Sequence, residues 1–137
     1  MKKIYTAFAI VLAMTAVSCK ENGLDKFWND SNASLMVEGQ NIITCDPLTW
    51  QATAEENGTY AMTRDDGIVW YTVNCDRQPL DLDQVVTAKI RWKTEGASRV
   101  RTLNGIALTV VDMDDENGLV TLVNGKQKVK VTVHQLR

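Results

Sequence analysis

The sequence predicts an all-β fold: a single-domain antiparallel β-sandwich of immunoglobulin-like design, with a small oligonucleotide-binding-type barrel as the alternative. Three observations predict it. Glycine follows asparagine at positions 23, 58, 105, 118 and 125 and aspartate at position 67, and both dipeptides suit hairpin turns because their residues tolerate positive φ. Between most of these turns, short runs alternate apolar and polar residues with the period of two that a half-buried strand requires. Beyond residue 34 no window sustains an amphipathic helical period for three turns.

In chain order, Met1-Lys2-Lys3 puts two positive charges ahead of an apolar run from Ile4 to Val17. Basic, apolar, then small residues is the order of a secretory signal peptide. The run is too short to cross a hydrocarbon core about 30 Å thick. Residues 1–18 are therefore expected to be a signal peptide, 19–34 a modified N-terminus and tether, and 35–137 the all-β domain. Ala16 and Ser18 satisfy the small-x-small rule of an ordinary signal peptidase. The run Ala16-Val17-Ser18-Cys19 also resembles the lipobox of bacterial lipoprotein precursors, with Ala16 in place of the usual leucine. The resemblance covers the leader only. It implies that Cys19 is diacylated, becomes the first residue of the mature chain and anchors it to a membrane of the cell envelope. Lys20-Glu21 lacks the aspartate that in some lipoprotein families retains the mature protein at the inner membrane, which points to the outer membrane, on its periplasmic face or at the cell surface.

The cysteine count agrees with that reading. Three cysteines, Cys19, Cys45 and Cys75, leave an odd thiol in an exported chain. Acylating Cys19 leaves Cys45 and Cys75 as an expected disulfide, closing a loop of about 30 residues for roughly 3–4 kcal/mol.

Lys20 to Ser34 is polar and reads as a tether, interrupted by Leu24, Phe27 and Trp28, which suit one helical turn capping the domain. Strands are expected near 35–38, 41–45, 48–54, 59–63, 69–75, 86–92, 97–103, 106–112, 119–123 and 128–133. The clearest alternation sets Val86, Ala88, Ile90 and Trp92 against Thr87, Lys89, Arg91 and Lys93. Pro47 and Pro79 fall where strands should stop.

The inventory for chemistry is thin, and neither catalysis nor a cofactor is expected. His134 is the sole histidine, and no Ser-His-Asp constellation or G-x-S-x-G elbow is present. One histidine and two separated cysteines lack zinc-finger spacing. The pairs Glu55-Glu56 and Asp65-Asp66 sit beside turns, where carboxylates are solvated and do not hold the raised pKa of a general acid. The richest cluster is Asp112-Met113-Asp114-Asp115-Glu116-Asn117-Gly118. Against a calcium-binding loop starting at Asp112, the sixth position is Asn117 instead of glycine and the twelfth is Val123 instead of glutamate. A weak calcium site at Asp112, Asp114 and Glu116 is set against a plain exposed acidic hairpin.

Of four tryptophans, Trp92 belongs to an inward set, and Trp50 and Trp70 are candidate ligand contacts. Formal charge is −2; without Lys2 and Lys3 the chain has 13 basic and 17 acidic side chains. Residues 19–84 hold 4 basic against 12 acidic, and 85–137 hold 9 against 5. Lys89, Arg91, Lys93, Arg99 and Arg101 could line a stripe. Export and an acidic total argue against nucleic acid and for an acidic partner or anionic polymer. The expected function is a lipid-anchored envelope binding module, held at a membrane and facing a protein or glycan. One alternative is a tethered inhibitor or immunity-type protein that blocks a hydrolase or toxin with Asp112, Asp114, Asp115 and Glu116. Another is a carbohydrate-binding accessory lipoprotein that uses Trp50 and Trp70.

Overall fold

Alternating apolar residues can bury one face of a strand only against another apolar face, and here the second face belongs to the same sheet. The computed structural model describes residues 31–55 and 58–135. The leader, Cys19 and the tether through Trp28 lie outside the described residues. Nine strands form one sheet: β1 (Leu35–Val37), β2 (Gln40–Ile43), β3 (Gln51–Glu55), β4 (Thr59–Thr63), β5 (Trp70–Cys75), β6 (Val85–Lys93), β7 (Arg101–Asp114), β8 (Leu119–Asn124) and β9 (Val129–His134). The order across the sheet is β2-β1-β9-β8-β7-β6-β5-β4-β3, and every neighbouring pair is antiparallel.

From β3 to β9 the chain is a meander of hairpins. The β1–β2 hairpin then pairs onto β9, with Leu35 opposite Val131 and Met36 opposite Lys130. The two edges, β2 and β3, are successive in the chain and are joined by the connection 44–50.

Inward residues from strands far apart meet in one core: Leu35, Tyr71, Ile90, Leu108, Leu122 and Val131 are each fully buried. Two tyrosines show how the sheet closes over it. The Tyr71 hydroxyl on β5 donates to the backbone carbonyl of Thr132 on β9. Those strands are four places apart, about 19 Å in a flat sheet at 4.8 Å per strand, well beyond the reach of one side chain. The sheet therefore curls until its inner face meets itself. Near the far end the Tyr60 hydroxyl on β4 donates to Gln135 Oε1 at 3.2 Å. The same oxygen accepts from the Leu80 N–H at 2.6 Å, and Gln135 Nε2 donates to the Leu80 carbonyl at 3.2 Å. Gln135 thus ties the buried Leu80 of the 76–84 loop to β4 and satisfies polar groups that would be costly to bury alone.

The all-β, antiparallel part of the expectation is what the chain folds into. The immunoglobulin-like arrangement of two sheets is not seen, because the nine strands share one continuous hydrogen-bonded sheet in near-sequential order. A second difference concerns Asn104-Gly105, which the sequence offers as a hairpin turn between two strands. Residues 101–114 are instead one long strand. Gly105, at φ 70°, sits where the β6–β7 register shifts between Ala88 and Ile90, a bulge that needs the left-handed backbone as much as a turn does.

Candidate functional site

Hairpin turns alternate between the two ends of a meander, so the β4–β5 and β6–β7 turns fall at the same end. The start of β3 joins them there, and the connection 44–50 runs in from β2. These segments line a pocket of about 400 Å³, with Ile42, Cys45, Trp50, Arg64, Val69, Thr94 and Glu95 in its wall. Mouths of curled sheets are common ligand sites because backbone demands are met within the sheet and the turns are free to vary.

Trp50 forms the aromatic wall and packs on the core, its ring 6.2 Å from that of Tyr71 and tilted by 45°. Arg64 supplies the charge. Its Nε donates to both Asp66 carboxylate oxygens at 3.0 Å, and its Nη2 donates to Asp66 Oδ2 at 2.7 Å and to Glu95 Oε1 at 2.8 Å. The fork of the guanidinium bridges two hairpin turns and fixes its own plane at the pocket wall. Donation by Arg64, and then by the Ile68 N–H, holds the Asp66 carboxyl below its ordinary range.

Cys45 lies half-buried beside Ser34, whose Oγ donates to the Cys45 carbonyl at 3.1 Å and lies 3.2 Å from its Sγ. Burial raises its pKa against the lowering effect of Ser34, and Asp46 raises it further. Cys75 is buried at the end of β5, where burial and then Asp76 push its pKa up to about 12. Both thiols are free, and no disulfide joins Cys45 to Cys75. Val69 lines the pocket, and six residues of extended chain, about 20 Å, carry β5 from there to Cys75 at the other end. The thiols should differ sharply in reactivity. In a full chain carrying Cys19→Ser, iodoacetamide is expected to modify Cys45 while Cys75 stays protected until the protein unfolds. The Cys45 rate should still be rising above pH 9, the ordinary thiol value, because only the thiolate reacts. Mass spectrometry of the alkylated peptides gives the order, and equal labelling would contradict this placement.

The two candidate tryptophans do not converge. Trp50 is in the pocket, whereas Trp70 is on the outward side of β5, where the guanidinium of Arg91 lies 5.8 Å from its ring centroid. Trp92 is buried on the inward side of β6. The acidic turn is at the end of the sheet away from the pocket. There Asp114 accepts from the Asn117 backbone at 3.3 Å and from its side-chain amide at 2.8 Å. Those bonds lower the Asp114 pKa. Asp112, Asp115 and Glu116 are exposed. Among the described residues no three His, Cys, Asp or Glu side chains are grouped to hold a metal ion, so the calcium reading of Asp112, Asp114 and Glu116 has no geometry behind it. His134 closes β9, half-buried.

Sequence reasoning missed Arg64 and Glu95. A signal was present: Arg64-Asp65-Asp66-Gly67 and Glu95-Gly96 are successive turns at one end of a meander. Comparison with protein-family models, with curated proteins and with solved structures finds no match.

Proposed function

We propose that this chain is a lipid-anchored binding module of a bacterial envelope, tethered through Cys19, which takes a small amphipathic ligand in the pocket between the sheet edges. The observation that carries the binding part is the wall itself: Trp50, Ile42 and Val69 offer apolar contact. Beside them, Arg64 is held in plane by two carboxylates as a fixed polar marker. A site with few placed polar groups and an apolar remainder suits recognition. The tether keeps such a pocket concentrated at a membrane surface. The anchor rests on the leader resemblance and the cysteine count.

One experiment separates the two parts. Cells grown with an alkyne fatty acid should yield a labelled protein whose label disappears in Cys19→Ser; an unlabelled wild type removes the anchor and leaves the pocket untouched. The Cys19→Ser chain titrated with 1-anilinonaphthalene-8-sulfonate should quench tryptophan emission. Thr94→Trp, which fills the pocket from its rim, should weaken that binding about tenfold, the scale of one lost apolar contact of about 1.4 kcal/mol. Unchanged dye affinity in Thr94→Trp would remove the pocket from the proposal.

A further inference from the structure

Alternation along β4, β5 and β6 decides which side chains leave the core. On the outward side are Thr59, Ala61 and Thr63 of β4, Trp70, Thr72 and Asn74 of β5, and Val85, Thr87, Lys89, Arg91 and Lys93 of β6. Tyr60, Tyr71, Val73, Ile90 and Trp92 are buried on the other side. Those outward positions hold three cations and no carboxylate. Among the described residues the ion pairs engage Arg64, and none reaches Lys89, Arg91 or Lys93. Asp76, beyond the end of β5, uses Oδ1 to accept the Thr87 N–H at 3.0 Å. In the turns at the Lys93 end, Asp66 and Glu95 are taken up by Arg64.

We propose that this outward face is a docking strip for a linear anionic polysaccharide, with Lys89, Arg91 and Lys93 as its row of cations. The inference is independent of the pocket and of the anchor. Residues two apart on a strand stand about 6.8 Å apart on one face, so the three charges form a line about 14 Å long, one residue wide. Such a line matches an extended polyanion better than a membrane, where attraction grows with the number of basic groups spread over an area. The strip is bordered by hydroxyl and amide groups. Thr72 lies directly opposite Arg91, and Asn74 directly opposite Lys89. Thr102 flanks Arg91 from β7. Sugar hydroxyls between charged groups need such partners. Arg91 lies within cation–π range of the Trp70 ring, 5.8 Å from its centroid, which shields one side of the guanidinium from water and leaves its donors for a carboxylate. Trp70 is the one aromatic side chain among these outward positions, whereas single-stranded nucleic acid is held by rows of aromatic rings on which successive bases stack.

The test uses the full chain carrying Cys19→Ser and immobilised polygalacturonate, with dextran as the neutral polymer. Retention on polygalacturonate but not dextran is expected, falling steadily with added salt as the entropy gained by releasing counterions shrinks. Lys89→Gln, Arg91→Gln and Lys93→Gln together should weaken binding at least about tenfold. Arg91→Lys, which keeps the charge and loses the planar guanidinium fork, should fall between wild type and the triple variant. Where the triple variant shows a lowered melting temperature, Arg91→Gln alone carries the comparison with Arg91→Lys. Retention on dextran as strong as on the polyuronate overturns the proposal, as does an unaffected triple variant. So does tighter binding to phosphatidylglycerol vesicles or to single-stranded DNA.

Discussion

Tyr71→Ala should lower the melting temperature by about 12–20 °C, from a cost of about 3–5 kcal/mol for truncating a buried aromatic and about 4 °C per kcal/mol for a domain of this size. Tyr71 is fully buried at the centre of the core. Its ring supports Trp50, and its hydroxyl reaches the Thr132 carbonyl across the interior. Alanine removes all three contributions and leaves a cavity between β5 and β9. Tyr71→Phe keeps the ring and removes only the hydrogen bond, so it should cost about 1–1.5 kcal/mol. Thermal melts followed by far-UV circular dichroism give both values. Because Trp50 rests on Tyr71, the alanine variant should also lose dye binding at the pocket, while the phenylalanine variant keeps it. A Tyr71→Ala protein melting within a few degrees of wild type would mean that the sheet does not close around this residue.

Gly58→Ala should be the most damaging single-methyl change, at about 3 kcal/mol. Gly58 adopts φ 75°, and a Cβ there would stand 2.4 Å from the backbone oxygen of Cys75. Left-handed backbone costs an L-residue roughly 1–2 kcal/mol. Relieving the collision requires β5 to shift, since a carbonyl cannot rotate away as a side chain can. Gly67 is the control: it has φ 74° and nothing within 4 Å of the added carbon. Gly67→Ala should therefore cost about 1 kcal/mol, the conformational part alone, partly offset by the reduced entropy of the unfolded chain. Urea titration of the two variants isolates the collision as their difference. Equal midpoints would show that β5 yields freely at Cys75.

Strand identity was legible where one face is buried and the other solvated. The β6 alternation from Val86 to Lys93 is the clearest case, and Gly58, Gly118 and Gly125 lie at real hairpin ends. Asn104-Gly105 misleads because the dipeptide reports only a tolerance of left-handed backbone. Whether that makes a turn or a bulge depends on whether a partner strand continues opposite, and β6 does. One sheet instead of two was not legible, since it rests on Met36 pairing with Lys130, a long-range match with no local signature. The cysteine count carries no distance: Cys45, on the connection 44–50, lines the pocket at one end of the sheet, whereas β5 carries Cys75 to the other. The pocket was half legible: Trp50 stood out by its chemistry, whereas Arg64 gains meaning only when two turns are known to share an end.

The pairing of β1 with β9 sets an order of events during synthesis. While the ribosome is still making the chain, the hairpin at 35–43 has no seat, because its neighbour in the sheet is read out some ninety residues later. Until Val129 to His134 has been made, Leu35 and Val37 lack the strand beside which they are buried. Closure by such distant partners is slow relative to local hairpin formation, so a nascent chain keeps its first hairpin unsatisfied almost to the end of translation.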